Sequence, residues 1–243
     1  MQGRIESHLS NKEKELMEFF KFPRTPHLFV VPGLDIRDDK ILSDQECKSF
    51  LNKTILLEEK VDGANIGISL SHNGDLLIQN RGNYILPGSH PQFNQIWDWA
   101  YSRISLLSQF ISVDFIVFGE WCYAKHSIHY TSLPDWFLGF DVYDKKNKIF
   151  LNTELRNQLL KKVNIKIIPT LGKGNYSRID LEKLLNSSKS NFYSGPIEGI
   201  YLRYEDFEKL IKRAKIVKKD FIQDIDVHWS KKEMSRNKLE TFS

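Results

Sequence analysis

The stretch LLEEKVDGANIGISL, residues 56–70, places one lysine between an apolar strand and a turn signal. Apolar residues run up to Asp62 and Gly63, a favoured pair for a tight turn, and apolar alternation resumes after them. The pattern predicts a hairpin with Lys60 at the end of its first strand. A lysine in that position is most often a solvated edge charge. Its role therefore depends on what the rest of the chain supplies.

Composition points to an ordinary globular protein, since 41% of the 243 residues are hydrophobic and 27% are charged. No apolar run approaches the roughly 20 residues of a membrane span, and the polar start does not resemble a signal peptide. We therefore expect a cytoplasmic protein that does not bind membranes. Cys47 and Cys122 cannot make a disulfide framework or, alone, a zinc site. The net charge of +4 permits binding to polyanions without requiring it.

Mixed strand and helix signals predict an α+β domain with one or two antiparallel sheets flanked by helices. The chain is expected to be a single domain, 1–243, with a motif core at about 54–220 and a short basic tail at 227–243 that is a short helix or disordered. Expected strands are 54–60, 64–70, 75–80 and those in FIVFGEWCYA, WFLGFDVYD and IEGIYLRY. Expected helices are 10–20, 91–111 and those in NTELRNQLLKKV, SRIDLEKLLNSS and EDFEKLIKRAK.

A sharper hypothesis makes Lys60 a nucleophile that attacks phosphorus. An ordinary lysine amine is protonated at neutral pH, and we expect burial and nearby cations to lower its pKa. The product would be a phosphoramidate, which stores an activated phosphoryl group. Such chemistry also needs cations for a triphosphate, carboxylates for a divalent metal and a platform for the base.

Six segments of the chain supply these parts in series. They are EKVDGAN, QNRGNY, FGEW, LGFDVYD, IEGIYLRY and KRAKIVKK. Their order resembles the motifs of the covalent nucleotidyltransferases, which include the ATP-dependent ligases and capping enzymes, from about residue 55 to 220. EKVDGAN, PRTPHL, FGEWCYAKHSIHY and RAKIVKKDFIQ are similar in particular to nick-sealing RNA ligases. The resemblance implies a nucleotidyltransferase domain, described as an ATP-grasp-like ligase fold.

The resemblance also implies roles for individual residues. Lys60 would carry AMP. Asp62 would orient the lysine and, together with Glu198, hold Mg²⁺ or Mn²⁺. Lys215 would stabilise the α-phosphate. ATP would contact a wider set: Glu59, Lys60, Asn65, Arg81, Glu120, Phe140, Arg213 and Lys215. Phe137 competes with Phe140 as the adenine platform.

Further residues have weaker signals. Arg213 stands where the family often has lysine, Asp141 is expected as a polar support, and Lys218 as a phosphate or RNA contact or a solvated lysine. Arg24 and His27 in PRTPHL either belong to a structural loop or approach the substrate end. His126 and His129 suggest hydrogen bonding or RNA contact, because zinc normally takes three or four protein ligands.

The function implied is an ATP-dependent RNA ligase for RNA repair, which joins a 3′-hydroxyl to a 5′-phosphate through lysyl-AMP and an adenylylated RNA end. About 25 residues follow Lys218, too few for an OB-fold barrel, so no C-terminal OB-fold is expected. RNA would then be bound weakly or with an additional partner protein. The sequence leaves three alternative functions. They are a DNA ligase, another covalent nucleotidyltransferase, such as one that modifies protein, and a non-catalytic nucleic-acid-binding module.

Overall fold

The structure is a computed structural model that describes residues 19–31, 41–219 and 234–241. The predicted helix at 10–20 therefore lies almost entirely outside the described residues. The strands are β1 (Ile55–Lys60), β2 (Ala64–Leu70), β3 (Leu76–Gln79), β4 (Phe115–Trp121), β5 (Phe137–Asp144), β6 (Ile149–Phe150), β7 (Lys166–Ile167), β8 (Thr170–Gly174), β9 (Gly199–Glu205) and β10 (Leu210–Val217).

Helices occupy the intervals between strands. They are α1 (Asp44–Leu51), α2 (Ile96–Tyr101), α3 (Ile104–Phe110), α4 (Thr153–Lys162) and α5 (Arg178–Ser187), with a 3₁₀ turn at Pro91–Phe93. Asn152 caps α4 by accepting the Leu155 N–H, and Ser177 opens α5 with a capping box. The predicted helices in NTELRNQLLKKV and SRIDLEKLLNSS are thus confirmed.

The strands form two sheets, as expected for the α+β class. One has the order β10-β9-β1-β8, and the other has the order β3-β2-β4-β5-β6, with β7 paired to β5. The pairs are antiparallel except for β5 with β7. Apolar clusters fill the space against each sheet, and α2 and α3 pack on the six-stranded sheet while α5 packs on the four-stranded one.

The predicted hairpin at Asp62 and Gly63 is wrong. β1 pairs with β8 and β9, whereas β2 pairs with β3 and β4, so the chain crosses from one sheet to the other directly after Lys60. Gly63 serves close approach, since a Cβ there would lie 2.6 Å from the Trp121 carbonyl oxygen. Among the described glycines, Gly74 and Gly88 have left-handed backbone, and the chain turns at Gly74 between β2 and β3.

The predicted helix in EDFEKLIKRAK is also wrong, because this segment forms the turn into β10 and most of that strand. Asp206 makes the turn by accepting the N–H groups of Glu208 and Lys209 at 2.8 Å each. Buried Ala214 and Ile216 then alternate with Arg213 and Lys215. The alternation was not recognised in the sequence because Lys and Arg residues occupy the intervening positions. Their apolar stems lie along protein surface while their charged ends stay in water.

The predicted helix at 91–111 is interrupted at Ser102 and Arg103. The Ser102 hydroxyl and the Arg103 guanidinium both donate to the Trp99 carbonyl oxygen, at 2.7 Å and 3.1 Å. Side chains that bond to nearby backbone in this way compete with the helical ladder. The result is α2 and α3 in place of one long helix.

Residues 234–241, which we call the C-terminal strap, are extended and paired with the chain after β4. Isolated bridges join Ala124 to Arg236 and Leu133 to Leu239. The prediction that the basic tail is a short helix or disordered is therefore wrong for this part of it. No helix in the described ranges is long and apolar enough to cross a membrane.

Gly63→Ala is expected to lower the free energy of unfolding by about 1–3 kcal/mol, because its Cβ would press on the β4 backbone, which cannot move cheaply. Gly82→Ala is the matched control, since a Cβ there meets nothing nearer than Asn80 Oδ1 at 3.7 Å. Urea unfolding of both variants measures the difference. Equal stability of the two would contradict the close-approach role.

Candidate active site

A cavity of about 470 Å³ lies where the two sheets meet, and its size is typical of small-molecule sites. Both sheets and the segment before β1 contribute to its wall. The predicted residues that line it are Arg24, Glu59, Lys60, Asn65, Arg81, Glu120, His126, Phe140 and Lys215. The other predicted residues lie beside this lining: Asp62, Glu198, Arg213, Asp141, Lys218 and His27.

Lys60 ends β1 opposite Gly199, the first residue of β9. This register brings Glu198 beside the lysine, and Lys60 Nζ donates to both Glu198 carboxylate oxygens at 2.6 Å. The backbone N–H of Lys218 donates to the Glu198 carbonyl oxygen at 2.9 Å, which fixes the start of β9 from the end of β10. The ion pair is buried on the Glu198 side and partly open at Lys60.

The charges around Lys60 oppose the predicted pKa shift. Burial lowers the pKa of Lys60, but the carboxylates of Glu198, Asp62 and Glu120 outweigh it and raise the pKa above its ordinary value. Burial raises the pKa of Glu198 and raises that of Glu120 to about 8. The expected lowering is thus wrong, because the neighbouring carboxylates favour the protonated form of Lys60.

Asp62 is held by the chain that follows β4. Its Oδ2 accepts the N–H groups of Ser127 and Ile128 at 2.7 Å and 3.1 Å. Its own N–H donates to the Tyr130 hydroxyl at 2.9 Å. The KHSIHY segment therefore supplies backbone donors to Asp62, a role that no side-chain motif in the sequence indicates.

Glu59 precedes Lys60 on β1, and its side chain is buried. The loop before β9 fixes this side chain. Its carboxylate accepts the Ser190 hydroxyl at 2.5 Å and the Asn191 backbone and side-chain N–H groups at 3.2 Å and 3.1 Å. A carboxylate has about four lone-pair positions. Three of them are used, so one acceptor position remains.

Asn65 and Glu120 face each other across β2 and β4, and Arg81 follows β3 at the same end of the sheet. The Asn65 Oδ1 is buried without a hydrogen-bond partner among the described residues, although Asn65 lines the cavity. A buried polar oxygen without a partner is unfavourable. A ligand that donates a hydrogen bond or a cation would satisfy it.

Phe140 is the aromatic residue of β5 that lines the cavity, with Phe22 edge-on to it at 5.5 Å between centroids. Phe137 is fully buried and packs on Trp99 at 5.0 Å, so it belongs to the core. Of the two predicted platforms, only Phe140 is in place.

Lys215 and Arg213 lie two residues apart on β10 but have different surroundings. Lys215 lines the cavity, and its backbone is bonded on both sides to the PRTPHL segment, through Pro26 and Leu28 at 2.9 Å and 2.8 Å. Arg213 donates to Asp141 Oδ2 at 2.9 Å, and its guanidinium lies 3.9 Å from the Phe150 ring centroid. The structure therefore makes Arg213 and Asp141 a support for the wall.

The PRTPHL segment was predicted either to be a structural loop or to approach the substrate end, and its residues divide between the two. Arg24 lines the cavity, whereas His27 is buried and pairs with Lys215 through the backbone. His126 lines the cavity with Nε2 3.3 Å from Gln92 Oε1. His129 is exposed, and no group of three His, Cys, Asp or Glu side chains within the described residues could hold a metal ion.

Sequence reasoning missed a buried charge network beneath Phe140. Arg156 of α4 donates to the Phe140 carbonyl oxygen at 2.5 Å and to Glu58 Oε1 at 2.6 Å. Arg203 of β9 donates to Asp141 Oδ1 at 2.7 Å and to the same Phe140 carbonyl at 3.3 Å. Arg156, Arg203, Glu58 and Asp141 are all fully buried. A charged residue inside an apolar strand, as in IEGIYLRY, was the available signal.

A sequence model of the RNA ligase family matches residues 53–217. The chain belongs to this family. No curated protein matches it in sequence.

Solved structures of ligases have the same fold. A candidate ATP-dependent DNA ligase from Aquifex aeolicus matches with a TM-score of 0.54 and 20% identity, over 82% of this chain and 50% of that one. The Naegleria gruberi RNA ligase with PPi matches with a TM-score of 0.57 and 16% identity, over 90% and 68%. A mutant of that enzyme with ATP and Mn gives 0.56 and 15%, over 91% and 70%. The chain spans about half the length of the Aquifex protein.

Arg156→Met is expected to cost about 3–5 kcal/mol of stability, because it leaves the Glu58 carboxylate buried without its 2.6 Å partner. Arg178→Met is the control, since it removes an exposed pair with Glu182 and a cation–π contact with Phe29, which together contribute roughly 1 kcal/mol. Chemical denaturation of both variants gives the two values. Similar losses would show that the buried network does not hold the sheets.

Proposed function

We propose that this protein is an ATP-dependent RNA ligase that joins RNA 3′-hydroxyl and 5′-phosphate ends through a covalent AMP on Lys60. The observation that carries the proposal is the position of Lys60, whose amine enters a cavity that also presents Phe140, Arg81 and Lys215. An amine, an aromatic platform and separate cations are the parts that transfer of a nucleotide to lysine requires.

The reaction would begin with attack of the Lys60 Nζ on the α-phosphorus of ATP, which forms a P–N bond and releases pyrophosphate. An oxygen of the RNA 5′-phosphate would then attack the same phosphorus and break the P–N bond. Finally the RNA 3′-hydroxyl would attack the activated 5′-phosphate, form the phosphodiester and release AMP. Lys215 would stabilise the negative charge that develops on phosphate oxygens.

The cavity residues have chemistry that suits ATP. Phe140 would stack on adenine, and the remaining acceptor position of Glu59 would take an adenine N–H. Glu120, whose pKa burial raises to about 8, would bond a ribose hydroxyl. Arg81 would hold ribose or phosphate, and Asn65 would face the phosphates. Arg24 and His126 would lie toward the RNA end.

Asp62 and Glu198 are the carboxylates that would hold Mg²⁺ or Mn²⁺. The surplus of carboxylates over Lys60 favours a cation, and with no three-ligand protein cluster among the described residues, triphosphate oxygens would complete the coordination. The metal would supply positive charge beside the triphosphate and compete with Lys60 for Glu198. Release of Lys60 from Glu198 would remove the largest of the charge effects that raise its pKa, so that burial and the added positive charge would favour the neutral, nucleophilic amine.

Incubation with α-labelled ATP and a divalent metal is expected to label the wild-type protein, and Lys60→Ala is expected to remove the label completely because no amine remains at the cavity. Lys173→Ala, a substitution of an exposed β8 lysine, is the control and should label normally. Gel analysis of labelled protein measures the result. An unlabelled wild type, or a labelled Lys60→Ala, would refute the lysine intermediate.

Sealing is expected to be about tenfold faster or more for a nick with an RNA 3′-hydroxyl strand than for the same nick in DNA. Sealing rates on nicked RNA, nicked DNA and single-stranded RNA distinguish an RNA ligase from a DNA ligase. The DNA ligase is the alternative suggested by the similarity to the Aquifex protein. Equal rates on nicked DNA would favour the alternative. Label that stays on Lys60 when RNA is added would favour a nucleotidyltransferase that modifies another acceptor.

A further inference from the structure

The C-terminal strap packs against the same segment of chain that holds Asp62. Its backbone bonds run to residues 123–133: Lys125 N–H to the Ser235 carbonyl at 2.9 Å, Lys238 N–H to the Tyr130 carbonyl at 2.9 Å and Leu133 N–H to the Lys238 carbonyl at 3.0 Å. These bonds fix the segment along most of its length. The strap thus contributes to the geometry near the cavity while its own residues lie outside the lining.

Asn237 is the centre of this contact and is 3% exposed. Its Oδ1 accepts the Tyr130 N–H at 2.8 Å, and its Nδ2 donates to the carbonyl oxygens of Cys122 and Ala124 at 2.7 Å and 3.2 Å. Both amide donors and one acceptor position are therefore used. Among the described residues of the strap, no other side chain has a hydrogen bond to the backbone of residues 122–133.

A short chain of hydrogen bonds leads from Asn237 to Asp62. Asn237 fixes the backbone of Tyr130, whose hydroxyl accepts the Asp62 N–H at 2.9 Å. The same segment presents the Ser127 and Ile128 N–H groups to Asp62 Oδ2. If the segment shifts, Asp62 loses the donors that set its orientation toward Lys60.

We propose that Asn237 is a positioning residue for lysine adenylation, which acts through the 123–133 segment on Asp62. The inference rests on the proposed function, since Asp62 matters there for Lys60 and the metal. In this proposal the basic tail acts by positioning the 123–133 segment and does not depend on electrostatic contact with RNA. The exposed cations Arg236 and Lys238 are then secondary to the one neutral, buried side chain.

Asn237→Ala is expected to lower the single-turnover rate of Lys60 labelling at saturating ATP by about tenfold or more. The KM for ATP should change less than about threefold, because Glu59, Phe140 and Arg81 are held by other elements. Lys238→Ala, which removes a tail charge and keeps the backbone bonds, should label at the wild-type rate. Asn237→Asp keeps the shape and the acceptor but points an oxygen at two carbonyl oxygens, so it should also be slow.

Two readouts separate positioning from a general loss of structure. In the Asp62→Ala background, Asn237→Ala should cause little further loss, since residues that act through one another are not additive. The Ser127 and Ile128 amides should exchange hydrogen faster in Asn237→Ala, while β2 amides stay protected. The exchange measurement does not require activity, so it tests the strap even if wild type fails to label and the proposed function is refuted.

Unchanged labelling and unchanged exchange in both Asn237 variants would overturn the proposal. The same loss in the wild-type and Asp62→Ala backgrounds would also overturn it, because the strap would then act independently of Asp62. A slow Lys238→Ala with a normal Asn237→Asp would show that tail charge, and not the Asn237 amide, is what matters.

Discussion

Two fully buried arginines join the two sheets, and the cavity depends on that junction. Arg156 bonds Glu58 of one sheet and the Phe140 carbonyl of the other, and Arg203 bonds the same carbonyl and Asp141. Buried charges are costly unless they are paired and fully hydrogen-bonded. The spacing between Phe140 and the end of β1 is therefore fixed by bonds that tolerate little displacement. Glu58 and Lys60 lie two residues apart on β1, so the same bonds anchor the strand that carries the amine.

Acidic side chains dominate the immediate surroundings of Lys60 in the cavity. Lys60 faces Glu198, Asp62 and Glu120, and these carboxylates keep it protonated. An arrangement that holds the amine as an ammonium until a cation and a polyphosphate arrive would limit adventitious reaction of a nucleophilic lysine. Burial is the main cause of the raised pKa of Glu120, and the neighbouring carboxylates of Asp62 and Glu198 add to it.

The sequence predicted those parts of the molecule that depend on short-range pattern. Strands β2 to β5 and helices α4 and α5 are visible as local patterns, and the family resemblance pointed to the cavity residues from Glu59 to Lys215. The partner of each strand is not a local property, so a turn pair after Lys60 predicted a hairpin where the chain changes sheets. In β10 the alternation was hidden by cationic side chains. Arg156, Tyr130 and Asn237 carry no motif because their roles depend on contacts distant in sequence.

Residues 26–28 run beside Lys215, and this pairing joins segments almost 190 residues apart in the chain. The sheet that carries Lys60 is likewise assembled from β1, β8, β9 and β10, so most of its contacts are long-range. Contacts of this kind form late, because loop closure must precede them. During synthesis, Lys60 leaves the ribosome long before Glu198 and Lys215 exist. Lys60 therefore spends that period without the Glu198 carboxylate that pairs with its amine in the folded protein.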